Sequence, residues 1–382
     1  MEKIIYMDHA ATTYVKDEVL KEMQPYFTKY YGNPSSQYSI SMENKMAIEL
    51  AKERISKVIN CSPEEIYITS GASEADNWAI KGFALANKHK GNHIITTKIE
   101  HEAVLNTCRY LESMGFEVTY LPVDKEGFVK IQDLKEAIKE NTILVSIIFA
   151  NNEIGTIEPI EEIGEICKSK DIVFHTDAVQ AFCKIPIDVR NKNIQMASLS
   201  AHKIYGPKGI GALYIKKGIK IHNLIHGGAQ ERGKRAGTEN VPLIVGFGKA
   251  AELGIKIMEE ESKRLSYLRD KLIDKLLQID GVIVNGPVGG KRLPNNVNVC
   301  FQGVYGEDLV FLLDREGICA SSGSACQASS MEPSYVLTAL GLEKSLAKSS
   351  IRLTLGLQTK EEHIDFVGDK LKEIVERIRK NN

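Results

Sequence analysis

Short apolar segments alternate with helix-like segments through the first two-thirds of the chain, and this alternation constrains the fold more than any other feature. Helix-like segments at residues 73–88, about 100–114, 130–140 and 160–170 separate most of the apolar ones. Short apolar strands interleaved with helices indicate a mostly parallel sheet covered by helices on both faces. The seven predicted strands of this sheet are residues 64–71, 92–99, 116–123, 142–151, 171–178, 196–203 and 210–216.

The pattern changes near Asn240, where a second unit begins. From Asn240 to Asp280 the sequence permits one long helix, with Gly254 as its main interruption. Since 382 residues are enough for two domains, we predict a large α/β domain over residues 15–255 and a smaller α+β domain from residues 1–14 and 256–382. The smaller domain contains predicted strands at residues 295–302 and 349–356, a helix at 306–317 and a charged terminal helix.

Composition and charge exclude several classes of partner. The chain carries 49 basic and 50 acidic residues, so its formal net charge is −1. This balance argues against a large nucleic-acid surface, and no apolar run approaches the ~20 residues that a membrane helix needs. The first residues, MEKIIYMDHAATT, place Asp8 and His9 where a signal peptide would need apolar residues. We therefore expect a cytoplasmic protein with no membrane segment and no direct nucleic-acid partner.

Seven cysteines are present, an odd number with no CxxC pair. This pattern predicts neither a disulfide framework nor a metal site intrinsic to the chain. Most of the cysteines lie in apolar surroundings and are expected to be inert, and we expect Cys319 to be buried and unreactive. Cys326 differs, because its segment ASSGSACQASS (residues 320–330) contains mostly small residues. Small residues bury little apolar surface, so we predict a mobile loop over about residues 320–334.

The stretch TSGASEADN (residues 69–77) is a candidate phosphate site. Gly71, Ala72 and Ser73 end a predicted strand and open a predicted helix. Backbone N–H groups and the helix dipole favour an anion at such a junction, and the Ser73 hydroxyl could add a hydrogen bond. The alternative is an ordinary helix N-cap at Ser73.

A carboxylate and a lysine follow two of the later strands. Asp177 and Gln180 lie just beyond the segment DIVF, and a carboxylate at a buried strand end needs a cation or hydrogen bonds. Ser200, His202 and Lys203 end the next predicted strand, and a lysine there can act as an imine-forming amine, although a surface lysine before a turn is the alternative. Together with the phosphate site, this pair fits pyridoxal phosphate, which requires a Schiff-base lysine and an aspartate at its protonated ring nitrogen.

Ten motifs spread over nearly the whole chain carry a resemblance to a known family. The chain resembles the NifS/IscS-like cysteine desulfurases, which are fold-type I pyridoxal-phosphate enzymes of the class-V aminotransferase family. The motifs are YMDHAATT (6–13), YGNPSS (31–36), TSGASEADN (69–77), IEHEAVL (99–105), NNEIGTIEPI (151–160), HTDAVQ (175–180), SAHKIYGPKG (200–209), GGAQERGKRAGTENV (227–241), SSGSAC (321–326) and SSIRLTLG (349–356).

The resemblance implies a role for each candidate site residue. Lys203 would be the Schiff-base lysine, His101 would stack on the cofactor ring, and Asp177 would pair with the ring nitrogen. A helix-start histidine is the alternative for His101, and a surface ion pair is the alternative for Arg352. The remaining implied contacts are to the phosphate for Ala72, Ser73, Ser200, His202 and Thr238 of the second protomer, to the ring's phenolic oxygen for Asn152 and Gln180, and to the substrate carboxylate for Asn33 and Arg352.

The family's activity would explain the small residues around Cys326. A homodimeric desulfurase of this kind converts L-cysteine to L-alanine and carries the sulfur as a persulfide, here on Cys326. The implied acceptor is an iron–sulfur scaffold protein or a tRNA-thiolation enzyme, and Cys326 could transiently ligate an iron–sulfur cluster shared with a scaffold. Selenocysteine lyase, another fold-type I enzyme such as an aminotransferase, and a non-catalytic sulfur-transfer scaffold are the alternatives.

Three positions depart from the family's usual pattern. Tyr38 replaces the histidine that usually follows NPSS by two positions, Ser73 replaces a threonine, and Leu357 stands where an arginine is usual. The exchange at Ser73 keeps a hydroxyl. Tyr38 and Leu357 lie outside the expected cofactor contacts, so they bear on turnover, access and partner choice rather than on the class of reaction.

Overall fold

The computed structural model of the chain describes residues 4–323 and 332–381, so Cys326 lies outside the described residues. The strands in this part of the chain are β1 Ile5–Tyr6, β2 Ile66–Thr69, β3 His93–Thr97, β4 Glu117–Leu121, β5 Thr142–Ser146, β6 Val173–Asp177, β7 Met196–Ser200, β8 Gly211–Ile215, β9 Val282–Val284, β10 Asn296–Phe301, β11 Ile318–Cys319 and β12 Ser350–Thr354. The helices are α1 Asp17–Met23, α2 Pro25–Thr28, α3 Ser39–Ile59, α4 Ala72–Asn77, α5 Phe83–Asn87, α6 Glu102–Ser113, α7 Ile131–Ala137, α8 Ile160–Ser169, α9 Gln230–Gly233, α10 Val241–Leu276, α11 Gly306–Arg315, α12 Tyr335–Ala339, α13 Lys344–Ala347 and α14 Glu361–Asn381.

The seven strands predicted from the alternating pattern form one sheet, in the order β2-β8-β7-β6-β5-β3-β4. Neighbouring strands run parallel except β8, which is antiparallel to both β2 and β7. Strands β3, β5, β7 and β8 are buried along their whole length, as expected for a sheet with helices on both faces. The prediction of a mostly parallel seven-stranded sheet is therefore confirmed.

Most predicted strands are shorter in the structure than in the sequence pattern. The regular strand in segment 142–151 ends at Ser146. Beyond it the N–H groups of Ile147 and Phe149 still donate to carbonyl oxygens of β6, and the Asn151 side chain donates a hydrogen bond of 2.8 Å to the carbonyl oxygen of Ile99. The last apolar residues of the segment are buried all the same. The apolar run is longer than the strand because the chain stays buried beside β6 after the regular strand ends.

Helix α10 is continuous over 36 residues, so the predicted interruption at Gly254 is wrong. A Cβ atom at position 254 would lie 2.8 Å from the Sγ atom of Cys183, which is too close for a side chain. The glycine is therefore explained by a tight contact rather than by a helix break. The start of α10 packs in the core beneath the large sheet, and its last third packs in a second core.

The second core lies in the C-terminal part of the chain. A three-stranded antiparallel sheet in the order β12-β10-β9 packs with α11 and α14. Strand β1 pairs in parallel with β11, so Ile5 and Met7 share this core. This arrangement matches the predicted smaller α+β unit with an N-terminal contribution, while the domain boundaries at residues 15 and 255 stay a prediction.

The long helices α3, α10 and α14 carry many charged residues. Among the described residues, no helix combines the length and the apolar character that crossing a membrane requires.

Candidate active site

The carboxyl ends of several strands of the large sheet meet at a cavity of about 550 Å³. Ligands of open α/β sheets bind at this edge. Of the thirteen residues predicted from the sequence for the site, ten line the cavity. These ten are Ala72, Ser73, His101, Asn152, Asp177, Gln180, Ser200, His202, Lys203 and Arg352.

One end of the cavity has the features of an anion cradle. Helix α4 begins at Ala72 with Gly71 as its N-cap, so Ser73 lies in the first turn and the alternative of an N-cap at Ser73 is wrong. Strand β8 passes close beneath, because a Cβ at Gly211 would lie 2.7 Å from the carbonyl carbon of Gly71. Ser200 ends β7 on the same wall of the cavity. Helix-start N–H groups and two hydroxyls at one place are suited to a phosphate.

A histidine and an ion pair complete this end. Burial, together with the nearby Lys203 and Lys208 ammonium groups, lowers the pKa of His202 to about 4, so the imidazole is neutral near pH 7. Its Nδ1 lies 3.1 Å from the hydroxyl of Thr12. The carboxylate of Glu74, which also lines the cavity, is held by Arg235 through two contacts of 2.9 and 3.1 Å. This fork neutralises an acid that would otherwise repel an anion.

Asp177 ends β6 and is 5% exposed. Its Oδ1 accepts a hydrogen bond of 3.0 Å from the Val179 N–H, and burial raises its pKa. A second carboxyl group, that of Asp76, lies beside it and is 1% exposed. The alternating pattern of the sequence did not predict this residue for the site. Potential ligand atoms of Asp76, Asp177 and His101 all lie within 4.8 Å of one another. The site therefore holds two buried acids where one was predicted, and both favour a cationic partner.

Few groups around Asp76 stabilise a negative charge on its carboxyl group. Neither carboxyl oxygen has a partner at good hydrogen-bond geometry in the described part of the chain; the nearby Ser198 hydroxyl partly stabilises the charged form, and the imidazole Nε2 of His175 lies 3.7 Å from Oδ1. Burial and the nearby Asp177 raise the pKa of Asp76 well above its usual range. Asp76 lies three residues beyond Ser73 in the predicted helix, so it could have been found only from the turn of the helix, which places it on the same side as Ser73.

Lys203 closes the short 3₁₀ turn that follows β7. Its Nζ donates hydrogen bonds to the carbonyl oxygens of Ala10 and Ala11, the latter at 2.6 Å. The side chain is half-buried in the cavity wall. The alternative of a surface lysine before a turn is therefore wrong, whereas the Schiff-base role stays a prediction.

His101 is both a helix start and a cavity residue. It is the N-cap of α6, and its Nδ1 accepts a hydrogen bond of 3.1 Å from the Ala103 N–H. The helix-start alternative thus describes it correctly, but the same ring lines the cavity. The capping bond fixes the ring's orientation, which is compatible with the predicted stacking role.

Arg352 lies on β12 with a side chain that is only 2% exposed, so the alternative of a surface ion pair is wrong. Its Nη2 contacts Asp8 Oδ1 at 2.8 Å, and its Nη1 donates to the carbonyl oxygen of Asn152 at 3.2 Å. The Nε atom of Arg352 and the Oδ1 atom of Asn152 have no hydrogen-bond partner within the described ranges. A guanidinium with a spare donor on a cavity wall can bind a carboxylate.

The described ends of the predicted loop are attached to this same region. The backbone of Ser321 exchanges two hydrogen bonds with that of Arg352, of 3.1 and 2.6 Å. On the other side, the Ser334 hydroxyl donates to the buried Glu153 carboxyl group at 2.6 Å. Burial raises the pKa of Glu153. Cys326 belongs to the segment between these two anchors and lies outside the described residues.

Two predicted site residues do not line the cavity. Asn33 is exposed, and its Oδ1 accepts a hydrogen bond of 2.9 Å from the Ser35 N–H. Thr238 is exposed as well. Of the departures from the family pattern, Tyr38 precedes α3 and is 55% exposed, and the Leu357 N–H donates to the hydroxyl of Tyr205 at 2.8 Å. The roles of Asn33 and Thr238 stay predictions.

The six described cysteines form no disulfide with one another. Burial is the main cause that raises the pKa of every one of their thiols. Cys319 is half-buried, so the expectation that it is buried is wrong, but its raised pKa favours the unreactive thiol form.

Comparison with known proteins gives concordant relatives. Residues 5–367 match the family model described as aminotransferase class-V. The chain is 59% identical over 381 residues to a protein named cysteine desulfurase IscS from Clostridium botulinum, covering 99% of this chain and 96% of that protein.

Two solved structures have the same fold. A protein titled NifS-like protein superposes with a TM-score of 0.92 at 41% identity, covering 98% of this chain and 100% of that chain. A structure titled SspA in complex with cysteine superposes with a TM-score of 0.82 at 42% identity, covering 92% of this chain and 98% of that chain.

Proposed function

The chain belongs to the class-V aminotransferase family, and we propose that it is a pyridoxal-phosphate-dependent cysteine desulfurase. The reaction converts L-cysteine to L-alanine and moves the sulfur atom to a thiol of the protein. The observation that carries this proposal is the meeting of Lys203, Asp177 and Arg352 around one cavity. An amine, a buried acid and a guanidinium are the groups needed to hold an aldehyde cofactor, its ring nitrogen and an amino-acid carboxylate.

The residues around the cavity fit pyridoxal phosphate. A protonated ring nitrogen would supply the cation that the buried pair Asp76 and Asp177 favours. The α4 start with Ser73, together with Ser200, would take the phosphate. Lys203 would hold the aldehyde carbon. The volume of about 550 Å³ is in the range of cofactor sites.

When bound, pyridoxal phosphate supplies an electron sink for the pair of electrons left on the substrate Cα atom. The Lys203 amine, on the cavity wall, accepts the Cα proton and can return it to a neighbouring carbon. Arg352, which lines the cavity, would orient the substrate through its carboxylate. Ile148 and Val179 line the same cavity with apolar groups, which would help to exclude water from the reacting atoms.

Sulfur transfer needs a thiolate from the protein. We assign this step to Cys326. Its thiolate attacks the substrate sulfur, so an S–S bond forms, the C–S bond breaks, and the electron pair stays on the substrate carbon, which a proton then converts to the methyl group of alanine. The raised pKa values of the other six thiols support this assignment, because each is protonated near pH 7.

The proposal extends to a homodimer with composite sites. Met42, Met46 and Leu50 follow one another at four-residue intervals on α3, and each is at least 46% exposed. Such an apolar row on a helix favours a second copy of the chain. Thr238, exposed in one chain, would then reach the phosphate of the other. An iron–sulfur scaffold or a tRNA-thiolation enzyme as acceptor, transient cluster ligation by Cys326, and a cytoplasmic location complete the proposal.

The test is a product assay on the purified protein with pyridoxal phosphate, L-cysteine and a thiol reductant. We expect alanine and sulfide in equal amounts, and a loss of both in Lys203→Ala. Selenocysteine in place of cysteine measures the alternative activity through the ratio of selenide to sulfide. A protein that binds the cofactor but forms no alanine from either substrate would contradict the proposal and favour the non-catalytic scaffold.

A further inference from the structure

The turn that follows β6 carries a second lysine, Lys184, which the mechanism above does not use. Its N–H donates to the carbonyl oxygen of Ala181 at 2.9 Å, so it lies in the same turn as Gln180. The Lys184 side chain points back along this turn. Its Nζ atom lies 3.2 Å from the carbonyl oxygen of Gln180 and 3.3 Å from the side-chain Oε1 of Gln180. One amine thus contacts both oxygens of a residue that lines the cavity.

The chemistry of the two neighbours decides which way the Gln180 amide points. In its charged form the Lys184 amine can only donate hydrogen bonds, so the Gln180 atom that faces it is then the oxygen. On the other side, Gln180 Nε2 lies 3.0 Å from the carbonyl oxygen of Ala10, which can only accept. Both neighbours therefore select one of the two orientations that an amide of this shape can take. The NH₂ group uses one N–H on Ala10 and retains a second for another acceptor.

We propose that Lys184 is a positioning residue, which holds the Gln180 amide so that its NH₂ group donates to the phenolic oxygen of the bound cofactor. This inference rests on the proposed function, because the acceptor oxygen belongs to pyridoxal phosphate. Without Lys184 only the Ala10 carbonyl oxygen favours this orientation, so the amide is held less firmly and its oxygen can turn toward the cofactor oxygen, which it would repel. Ala10 joins this network to the reacting amine, since its carbonyl oxygen also accepts from Lys203.

The backbone of Lys184 is fixed from the outside by α10. The hydroxyl of Ser262 on α10 donates to the carbonyl oxygen of Lys184. Eight residues before Ser262 on α10, Gly254 packs against Cys183 and leaves no room for a Cβ atom at position 254. Cys183 itself has a positive φ of 57°, which is uncommon for a residue with a side chain. These contacts hold the turn in the one arrangement that brings the Lys184 amine to Gln180.

The environment of Lys184 is unfavourable for a cation, which argues for a specific role. The side chain lines a small cavity of about 50 Å³ that lies behind Lys203 and is surrounded largely by apolar groups. Burial and, after it, repulsion by Lys203 lower the pKa of Lys184 to about 7. An apolar side chain of the same length would avoid this desolvation. The hydrogen bonds to Gln180 are the compensation that the structure shows.

The experiment is a double-mutant cycle on the affinity for pyridoxal phosphate, measured by absorbance titration of the cofactor-free protein. Lys184→Met keeps the length of the side chain and removes its donors, and Gln180→Ala removes the amide. Each single variant should bind the cofactor about tenfold more weakly, the effect of one hydrogen bond to a polarised oxygen. The double variant should bind no more weakly than Gln180→Ala alone, because Lys184 acts through Gln180.

The absorption maximum of the bound cofactor gives a readout that does not depend on turnover. It should move in Lys184→Met and should not move further when Gln180 is already alanine. Lys249→Met is the matched control, because Lys249 is a partly buried lysine of α10 whose partners are Glu22 and Glu252 and which does not line the cavity. Its cofactor affinity should equal that of the unchanged protein. Thermal unfolding of the cofactor-free proteins detects any loss of fold.

Several outcomes would overturn the inference. Wild-type affinity in Lys184→Met is one, and a double variant weakened by the product of the single effects, about 100-fold, is another. If Lys184→Met does not fold, Lys184→Gln removes the charge but keeps a polar group, and it should still weaken binding; unchanged affinity there would also refute the role. A wild-type protein that binds no pyridoxal phosphate at all would refute the proposed function instead.

Discussion

A buried ion pair, Lys52 with Glu231, ties the segment that bears Thr238 to the body of the protein. The Lys52 Nζ atom lies 3.0 Å from Glu231 Oε2, and both side chains are 4% exposed. The same oxygen accepts a hydrogen bond of 3.1 Å from the N–H of Ile68 in β2. Glu231 has a positive φ of 47°. The pair therefore holds an unusual backbone turn against α3 and β2.

Removing one partner of this pair should be costly. Lys52→Met would leave the Glu231 carboxylate buried with a single N–H donor, and breaking a buried pair in this way destabilises a protein by about 3–5 kcal/mol. Adding Glu231→Gln removes the charge and keeps an acceptor for Ile68. The double variant should therefore recover most of the loss and remain within about 1 kcal/mol of the unchanged protein.

The assay is urea unfolding followed by tryptophan fluorescence. Trp78 is the only tryptophan of the chain; it is buried and packs edge-on against Tyr67 of β2 at 5.7 Å. Its signal thus reports on the strand that Glu231 contacts. Lys57→Met is the control, because its ion pair with Glu53 is exposed and should contribute less than about 0.5 kcal/mol. A loss below 1 kcal/mol in Lys52→Met, or a double variant less stable than Lys52→Met, would refute the reasoning.

Three further predictions concern the proposed site, the assembly and pH. Cys326→Ser should bind pyridoxal phosphate normally but form no persulfide, whereas Cys319→Ser should stay active; peptide mapping of the persulfide after brief cysteine treatment decides, and a persulfide on Cys319 would contradict the assignment. A mixture of Thr238→Ala and Lys203→Ala chains should regain some activity, since one site of each mixed dimer carries neither change, and full activity in a demonstrably monomeric sample would refute the composite site. Burial raises the pKa of Glu158 from 4.5 to about 8. Between these pH values the folded protein keeps a proton that the unfolded chain has lost, so the free energy of unfolding falls as the pH rises. Glu158→Gln should remove this fall, and identical pH profiles of stability for the variant and the unchanged protein between pH 5 and 8 would contradict the prediction.

The sheet could be predicted because its strands are buried on both faces, which leaves continuous apolar runs in the sequence. The antiparallel direction of β8 could not be predicted in this way, because an apolar run carries no information on direction. The short connection from β7 to β8 contains Gly206, Pro207 and Gly209, and such a turn suits a reversal better than a crossover. Gly254 led to the wrong prediction of an interruption in α10. The glycine is explained by a close contact with the distant turn at Cys183, not by a helix break.

The site could be predicted to the extent that its residues end strands. Asp177, Ser200 and Lys203 follow strands and therefore meet at one edge of the sheet. Asp76 was missed because it lies in the polar stretch SEADN, and Lys184 because nothing in the mostly apolar stretch AFCKIPI indicates that its amine contacts Gln180. Only the tertiary structure shows where these two side chains lie. For Thr238 the predicted contact depends on a second chain, so a single chain leaves it exposed.

The anchor at Ser321 beside the site would limit how far the proposed sulfur carrier can reach. Cys326 is five residues beyond Ser321, and an extended chain advances at most about 3.6 Å per residue, so its Cα atom stays within about 18 Å of the Ser321 Cα atom. In the proposed role, a sulfur carried on Cys326 would be a tethered reactant. An acceptor protein would have to bring its receiving group within this distance plus the length of the cysteine side chain, where the effective concentration of the persulfide would be in the millimolar range.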